Sequence, residues 1–397
     1  MNRQLVVILC IVALDAVGIG LIFPILPGLL KELTGSADIS LLYGVILALY
    51  ALMQFVFSPV LGALSDRYGR RPVLLLSIAG ATIDYVFMAL SPVVAVLLIG
   101  RAIAGITSAN MAVATAYISD ITEEQQRAER FGWMSAGFGV GFIIGPVLGG
   151  VLGDIHLRAP FGVAAVLNAV NLALAYYMLP ETRSRTTTRL DLATLNPLAP
   201  MRWAFGLTMI LPMLGMFVLF GLIGNIPGTV WVLYGQDKFQ WNGMMVGLSL
   251  AAFGAWHAGS QAFLTGPLTA RFGETRTIVL GICSDVIAFV SISLATRGWM
   301  VFVIAPFFAL SGVAMPALQA LMSREVSEDR QGELQGVLAS LLSLTAIIGP
   351  LIGTAVYFYS RTRWIGAVWI LGAVLYLGMI PLLIAHRRRA TRAVGEA

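Results

Sequence analysis

Four ionisable side chains stand where the sequence is otherwise apolar: Asp15, Asp84, Arg101 and Asp285. Each interrupts a hydrophobic run of about 20 residues, the length that crosses a hydrocarbon core of about 30 Å as a helix. A charge at such a helix centre costs about 2.5–3.5 kcal/mol even on conservative scales, so residues of this kind face a cavity and serve a function there. Three acids against one guanidinium leave a cavity of net negative charge. An ionised carboxylate in a low-dielectric site calls for either a proton or a cation, and a site that takes one or the other by turns is an exchanger. Simpler roles stand beside this one: Arg101 is placed to neutralise Asp84, and Asp15 to bond a serine or a backbone group. His257 lies in the eighth run, one turn from Gln261. An imidazole titrates nearest neutrality, which makes His257 a candidate proton relay to Asp285 as well as an ordinary packing residue.

The elements that must position these groups follow from composition. Of the 397 residues 58% are apolar and only 11% charged, with a mean hydropathy of +0.87. Soluble domains run at about 45–50% and about 25%, so the chain reads as an all-α integral membrane protein. A soluble nucleotide-binding enzyme, a nucleic-acid binder and a secreted disulfide scaffold are excluded. Cys10 and Cys283 both fall in apolar runs, with no CxxC or Cys/His cluster, and read as small buried apolar residues rather than metal ligands. The N-terminal run resembles a signal peptide, but Asp15 interrupts it and no small-x-small site follows. It reads as an uncleaved first span.

Twelve spans are expected, near 5–29, 42–63, 73–91, 93–117, 132–153 and 160–179, then 206–230, 243–265, 277–296, 299–322, 333–358 and 364–385. They form two six-helix bundles, 1–180 and 205–386, joined by a polar cytoplasmic linker at 181–204 and followed by a basic tail at 387–397. With both termini in the cytoplasm, 18 of the 25 Lys and Arg residues lie inside and 6 outside, with Arg101 within a span. That imbalance obeys the positive-inside rule.

The two halves repeat. GALSDRYG from Gly62 matches GPLTARFG from Gly266, the loop from Ser119 matches that from Ser323, and Gly145-Pro146 matches Gly349-Pro350, each at an offset of 204. Parallel repeats of this kind place a substrate cavity between the halves at mid-bilayer and work by alternating access. On that offset Asp285 maps to Ala81, one turn from Asp84, and Gln261 maps to Phe57, one turn from Gln54. Asp15, Gln54, Asp84, Arg101 and Gln261 are therefore the expected substrate contacts, and Asp285, His257, Asp15 and Asp84 the expected proton-coupling groups.

These segments carry a family resemblance. GALSDRYGRRP (62–72) resembles the loop between the second and third helices of the major facilitator superfamily. GFIIGPVLGG (141–150) resembles the fifth-helix motif of its drug/proton antiporters. The longer stretches GVILALYALMQFVFSPVLGALSDRYGRRPVLLL, IPGTVWVL, HAGSQAF and MPALQALMS are similar to the Gram-negative tetracycline/proton antiporters, across both halves. The resemblance implies a transporter rather than an enzyme, carrying tetracycline out of the cell as its divalent-metal chelate in exchange for H+. It implies a multi-pass protein of the bacterial inner membrane. The metal (Mg2+) travels with the drug, the proton gradient supplies the energy, and no permanent cofactor, nucleic acid or obligatory protein partner is called for. A superfamily antiporter for another hydrophobic cation is the nearest alternative. A polytopic membrane enzyme is remote, since neither HExxH nor a nucleophile elbow occurs, and few polar groups are present to bind a sugar.

The resemblance further implies that Asp66 and Arg70 belong to a cytoplasmic gating network, with Asp120 and Arg127 as partners and Gly62 permitting close helix approach. Asp66 is also suited to a helix N-terminus. The second half has Ala270 and Glu274 at the matching positions, so it is not expected to make the same latch. In the fifth span Gly137, Gly141, Gly145 and Gly149 recur every fourth residue around Pro146. They read either as a close-packing face or as the bend and proton seal of an exporter motif. Trp231, Tyr234 and Trp241 read as interfacial aromatics at the outer surface.

Overall fold

A computed structural model describes residues 3–183, 196, 210–327 and 330–386. The linker beyond Arg183, apart from Asn196, and the basic tail 387–397 lie outside the described residues. The first unit (Met1–Asn196 with Trp241–Ala251) contains α1 (Arg3–Ile22), α2 (Leu26–Thr34), α3 (Ser40–Tyr68), α4 (Arg70–Leu90), α5 (Val94–Thr107), α6 (Asn110–Asp120), α7 (Arg127–Ile155), α8 (Ala159–Met178) and the start of α10 (Gly243–Phe263). The second unit (Pro197–Gln240 with Ala252–Ala397) holds α9 (Leu211–Phe239), the rest of α10, α11 (Thr265–Leu294), α12 (Trp299–Ser311), α13 (Ala314–Arg324), α14 (Gln331–Ser360) and α15 (Ala367–Leu377).

Among the described residues, eleven helical stretches are long and apolar enough to cross a membrane, and they fall on eleven of the twelve expected spans. The twelfth is α10. Its 21 residues reach about 31 Å at 1.5 Å per residue, but Trp256, His257, Ser260 and Gln261 lower its hydropathy. Helix starts are set locally. Asp38 Oδ1 accepts the Ser40 N–H at 3.1 Å and the Ser40 hydroxyl at 2.9 Å ahead of α3, and Asn242 Oδ1 accepts the Met245 N–H at 3.0 Å in α10. These are N-terminal caps for orphaned amides. Asp154, at the end of α7, accepts the Gly243 and Met244 N–H groups at 2.8 and 2.9 Å.

Four expected spans prove to be interrupted, the last of them in sequence at Gly378, after which helix resumes at Met379. The first divides at residues 23–25, where Pro24 and Pro27 withhold backbone donors, and α2 closes on Gly35 at φ 63°. The fourth breaks at Ser108 (φ −73°, ψ 91°) and Ala109 (φ −133°, ψ 6°). The tenth breaks at Gly312–Val313, the same place at the repeat offset of 204. Irregular backbone at membrane depth survives only where it is buried in protein or lines a cavity. The loop expected before the ninth span is helical instead, and α11 kinks at Gly273 (φ 75°). Its counterpart Gly69 stands at φ 105°, so both positions need the left-handed freedom of glycine.

The glycines of α7 pack against α1. A Cβ on Gly141 would lie 2.5 Å from the Ala13 carbonyl, one on Gly145 would lie 2.7 Å from both Gly20 Cα and the Val17 carbonyl, and one on Gly149 would collide with Leu21. Pro146 is accommodated inside one continuous helix. By contrast, a Cβ on Gly62 would meet nothing within 4 Å among the described residues, so the expected close approach does not occur among them. Cys10 and Cys283, expected to be buried, are exposed on the flanks of apolar helices. Two of the basic residues expected outside the cytoplasm cap helix ends. Arg158 donates to the Ala89 and Ser91 carbonyls at 3.2 and 2.9 Å and pairs with Glu32, closing the end of α4. Lys238 donates to the Ser293 carbonyl at 2.9 Å and so closes α11. Cations are favoured at helix C-termini.

The α1–α7 packing predicts that Gly149→Val lowers stability in detergent by about 1–3 kcal/mol, the usual cost of overpacking. Gly62→Ala should stay within about 0.5 kcal/mol of the parent. Thermal unfolding of the two purified variants checks this, and equal melting temperatures would contradict it.

Candidate functional site

The first unit carries a cavity of about 440 Å³ at the break between α5 and α6. Asp15, Gln54, Ala81, Asp84 and Arg101 line it, and so does the first turn of α6. The break is what brings polar groups here. Ser108 Oγ meets the Tyr50 hydroxyl at 2.8 Å and accepts the Gln54 amide at 2.9 Å, while the Asn110 side chain hydrogen-bonds Asp15.

Asp84 and Arg101 form a two-point ion pair. Arg101 Nε donates to Asp84 Oδ1 at 3.1 Å, Nη2 contacts Oδ2, and the guanidinium lies over the Tyr50 ring at 5.2 Å. The Asp84 side chain is 0% exposed and that of Arg101 12%. Such a pair is held together by the low dielectric around it, because either charge alone would be stranded. Asp84 is thus neutralised by Arg101 in this structure. Among the described residues, Asp15 is the cavity's uncompensated acid.

Asp285 occupies the equivalent place in the second unit, on α11. It is buried and hydrogen-bonded to the hydroxyls of Tyr376 and Ser311, the latter at the end of α12. Its repeat equivalent, Ala81, lines the first unit's cavity. His257 does not bond to Asp285. It stacks on Phe253 with ring centroids 5.5 Å apart and lies against Gly312 in the helix break. A chain of rings joins the two sites, from Phe253 to Phe308, Phe289 and Tyr376, with centroids 6.3, 5.4 and 5.6 Å apart. Trp231 and Tyr234 belong to this cluster through Trp369 and are 6% and 2% exposed. Trp241 is buried as well. All three are core residues, not the interfacial aromatics that their positions near helix ends implied. Gln261 is exposed on α10 and is not among the residues lining the cavity.

The charge network after the second span is built around Arg70. Its side chain pairs with Asp66 at 2.9 Å and Asp120 at 3.1 Å and donates to Ser65. The segment after α8 docks onto it. Glu181 accepts the Arg70 and Arg71 N–H groups at 2.8 and 3.1 Å, Thr182 donates to Asp120, and Arg183 pairs with Asp66 at 2.8 Å. Glu181, rather than Asp66, therefore caps α4, and residues 181–183 of the expected linker are anchored. Arg127 stands apart from these carboxylates and donates to the Thr122 carbonyl at 3.4 Å. The second half carries a pair that sequence reasoning missed: Glu274 Oε1 lies 2.6 Å from Arg324 Nη2. These are the repeat equivalents of Arg70 and Asp120, so the bridge is retained with its charges exchanged. The offset of 204 was the signal that could have found it.

The Major Facilitator Superfamily model matches residues 8–304 and 213–396. The class C tetracycline resistance protein of Escherichia coli is 53% identical over 382 residues, covering 96% of both chains. The class G protein of Vibrio anguillarum is 50% identical over 383 residues, covering 96% of this chain and 98% of its own. A point mutant of the nucleoside transporter NupG, solved by crystallography, superposes with a TM-score of 0.78 at 15% identity, over 97% of this chain and 100% of that one; this likeness concerns the fold alone. The chain therefore belongs to the Major Facilitator Superfamily, and within it to the family of tetracycline resistance proteins. It is an all-α, multi-pass membrane transporter.

The two ion pairs can be tested separately. Asp84→Asn strands Arg101 and should cost about 3–5 kcal/mol of stability, part of which the double variant with Arg101→Gln recovers; chemical denaturation in detergent measures both. For the half-exposed pair in the second half, Glu274→Arg or Arg324→Glu alone should slow transport, and the double exchange should restore it. A doubly exchanged protein no faster than either single variant would show that the bridge contributes nothing. The stability effect of an exposed pair is only about 0.2–1 kcal/mol, which makes transport the sensitive readout.

Proposed function

We propose that this chain exports tetracycline across the bacterial cytoplasmic membrane as its divalent-metal chelate, in exchange for H+, with both termini in the cytoplasm. The observation that carries this reading is the acid without a counter-cation among the described residues, Asp15, in a cavity whose other acid is neutralised by Arg101. A drug chelated to Mg2+ brings positive charge to that carboxylate, and the apolar walls receive its fused rings. The relatives at 53% and 50% identity, both named as tetracycline resistance proteins, supply the cargo.

Asp285 is the proton carrier in this reading. It is buried, held by two hydroxyls and free of any ion pair among the described residues, so it changes charge without stranding a partner. The first unit binds cargo and the second binds the proton, and the protein exposes these groups to one membrane face and then the other. His257 meets the helix break beside Ser311 and acts on Asp285 through that element. The Arg70 network and the Glu274–Arg324 pair hold the cytoplasmic ends of the helices during this change, and the α1–α7 glycine face keeps them sealed against protons.

Everted vesicles should accumulate tetracycline when energised, and only with a divalent cation present. Drug addition should release protons from the vesicle lumen. Asp285→Asn should reduce accumulation by at least about tenfold at normal protein levels. Full metal-dependent uptake by that variant would remove Asp285 from the coupling step.

A further inference from the structure

Hydroxyl groups within these spans generally satisfy themselves on their own helix. Thr82 donates to the Ile78 carbonyl, Thr107 to Ile103, Thr115 to Met111 and Ser340 to Gly336, the expected behaviour of a hydroxyl with no water nearby. Six buried hydroxyls among the described residues break the pattern, on Tyr43, Ser77, Ser91, Ser260, Thr265 and Ser360, and of these Tyr43 and Ser77 line the cavity. Among the described residues neither the Tyr43 hydroxyl on α3 nor the Ser77 hydroxyl on α4 has a hydrogen-bond partner, and these residues are 0% and 2% exposed. Asn110 completes the set. Its side chain bonds Asp15, and its Oδ1 is likewise buried and unpaired. All three residues line the same cavity.

A buried polar atom left unpaired carries its full desolvation penalty, and most such atoms in native proteins have partners. Three at one cavity, facing apolar wall formed by Ile19, Ile22, Phe23, Leu47 and Phe138, describe a receptor for something with one polar edge and one greasy face. We propose that Tyr43, Ser77 and Asn110 are the specificity-determining contacts of the cargo site, reading the oxygen-rich edge of a flat polycyclic ligand by hydrogen bonds. Asn110 Oδ1 accepts a ligand hydroxyl or amide proton. The two hydroxyls donate to ligand oxygens or accept from them. Charge recognition stays with Asp15, so affinity for a cation and choice among cations are handled by different residues.

This inference rests on the export reading and is tested apart from it. Metal–tetracycline uptake into everted vesicles is measured for the parent, Tyr43→Phe and Ser77→Ala, with tetracycline and with analogues each lacking one ring hydroxyl. Asn110 is left unaltered because it also holds Asp15. Each variant should raise KM for tetracycline about 3- to 10-fold, the range for one lost hydrogen bond, with the change falling on KM rather than on maximal rate. For each variant one analogue should show no further loss, because its missing hydroxyl is the partner already removed. Since Tyr43 has no protein partner to lose among the described residues, Tyr43→Phe should melt no lower than the parent. Unchanged KM in both variants, or an equal loss for all analogues together with a lower melting temperature, would overturn the proposal. Failure of the parent protein to take up tetracycline would reject the export reading itself, and this inference with it.

Discussion

The cost of placing charge in a low-dielectric interior governs this structure more than any other term. A carboxylate in the membrane must be paired, protonated or matched by a cation, and the four ionisable groups at mid-span meet that demand in different ways. Asp84 is paired with Arg101 through both oxygens. Asp15 and Asp285 have only hydrogen bonds among the described residues, from Asn110 in one case and from Tyr376 and Ser311 in the other. A paired acid is a strut, whereas an acid held by neutral groups is free to exchange its counter-charge.

Helix breaks make these arrangements possible. A continuous helix satisfies every backbone group internally and has nothing left for a ligand. The fourth and tenth spans break at Ser108–Ala109 and Gly312–Val313, one repeat apart, and the polar partners cluster there: Ser108 and Asn110 in the first unit, Ser311 and the His257 contact in the second. The helix ends that carry the charged networks are built on a shared plan too. One bridge, between the loop after the second or eighth span and the end of the fourth or tenth, is used in both halves with opposite polarity.

Much of this was legible in the sequence. The hydrophobic runs located the helices because lipid leaves a chain few other options, and the buried acids stood out because they are costly to bury. Spacing also found the glycine face of α7, since four-residue periodicity aligns residues on one side of a helix. What stayed hidden depended on neighbours in space. Nothing local marks the break at Ser108, the partnership of Glu181 with the Arg70 amide 111 residues away, or the ring cluster that buries Trp231 and Tyr234. Gly62 and Arg127 were expected to act in the gate on the strength of their motif positions alone, and among the described residues their surroundings give them neither a close contact nor a carboxylate.

The central claim is that a cationic cargo at Asp15 and a proton at Asp285 are bound by turns. Purified protein in weakly buffered detergent, titrated with metal–tetracycline while pH is followed, tests it without a membrane or a gradient. Protons should be released in proportion to the drug bound, and that release should be lost when Asp285 is replaced by Asn although the drug still binds. Saturable binding with no proton released by the parent protein would contradict it.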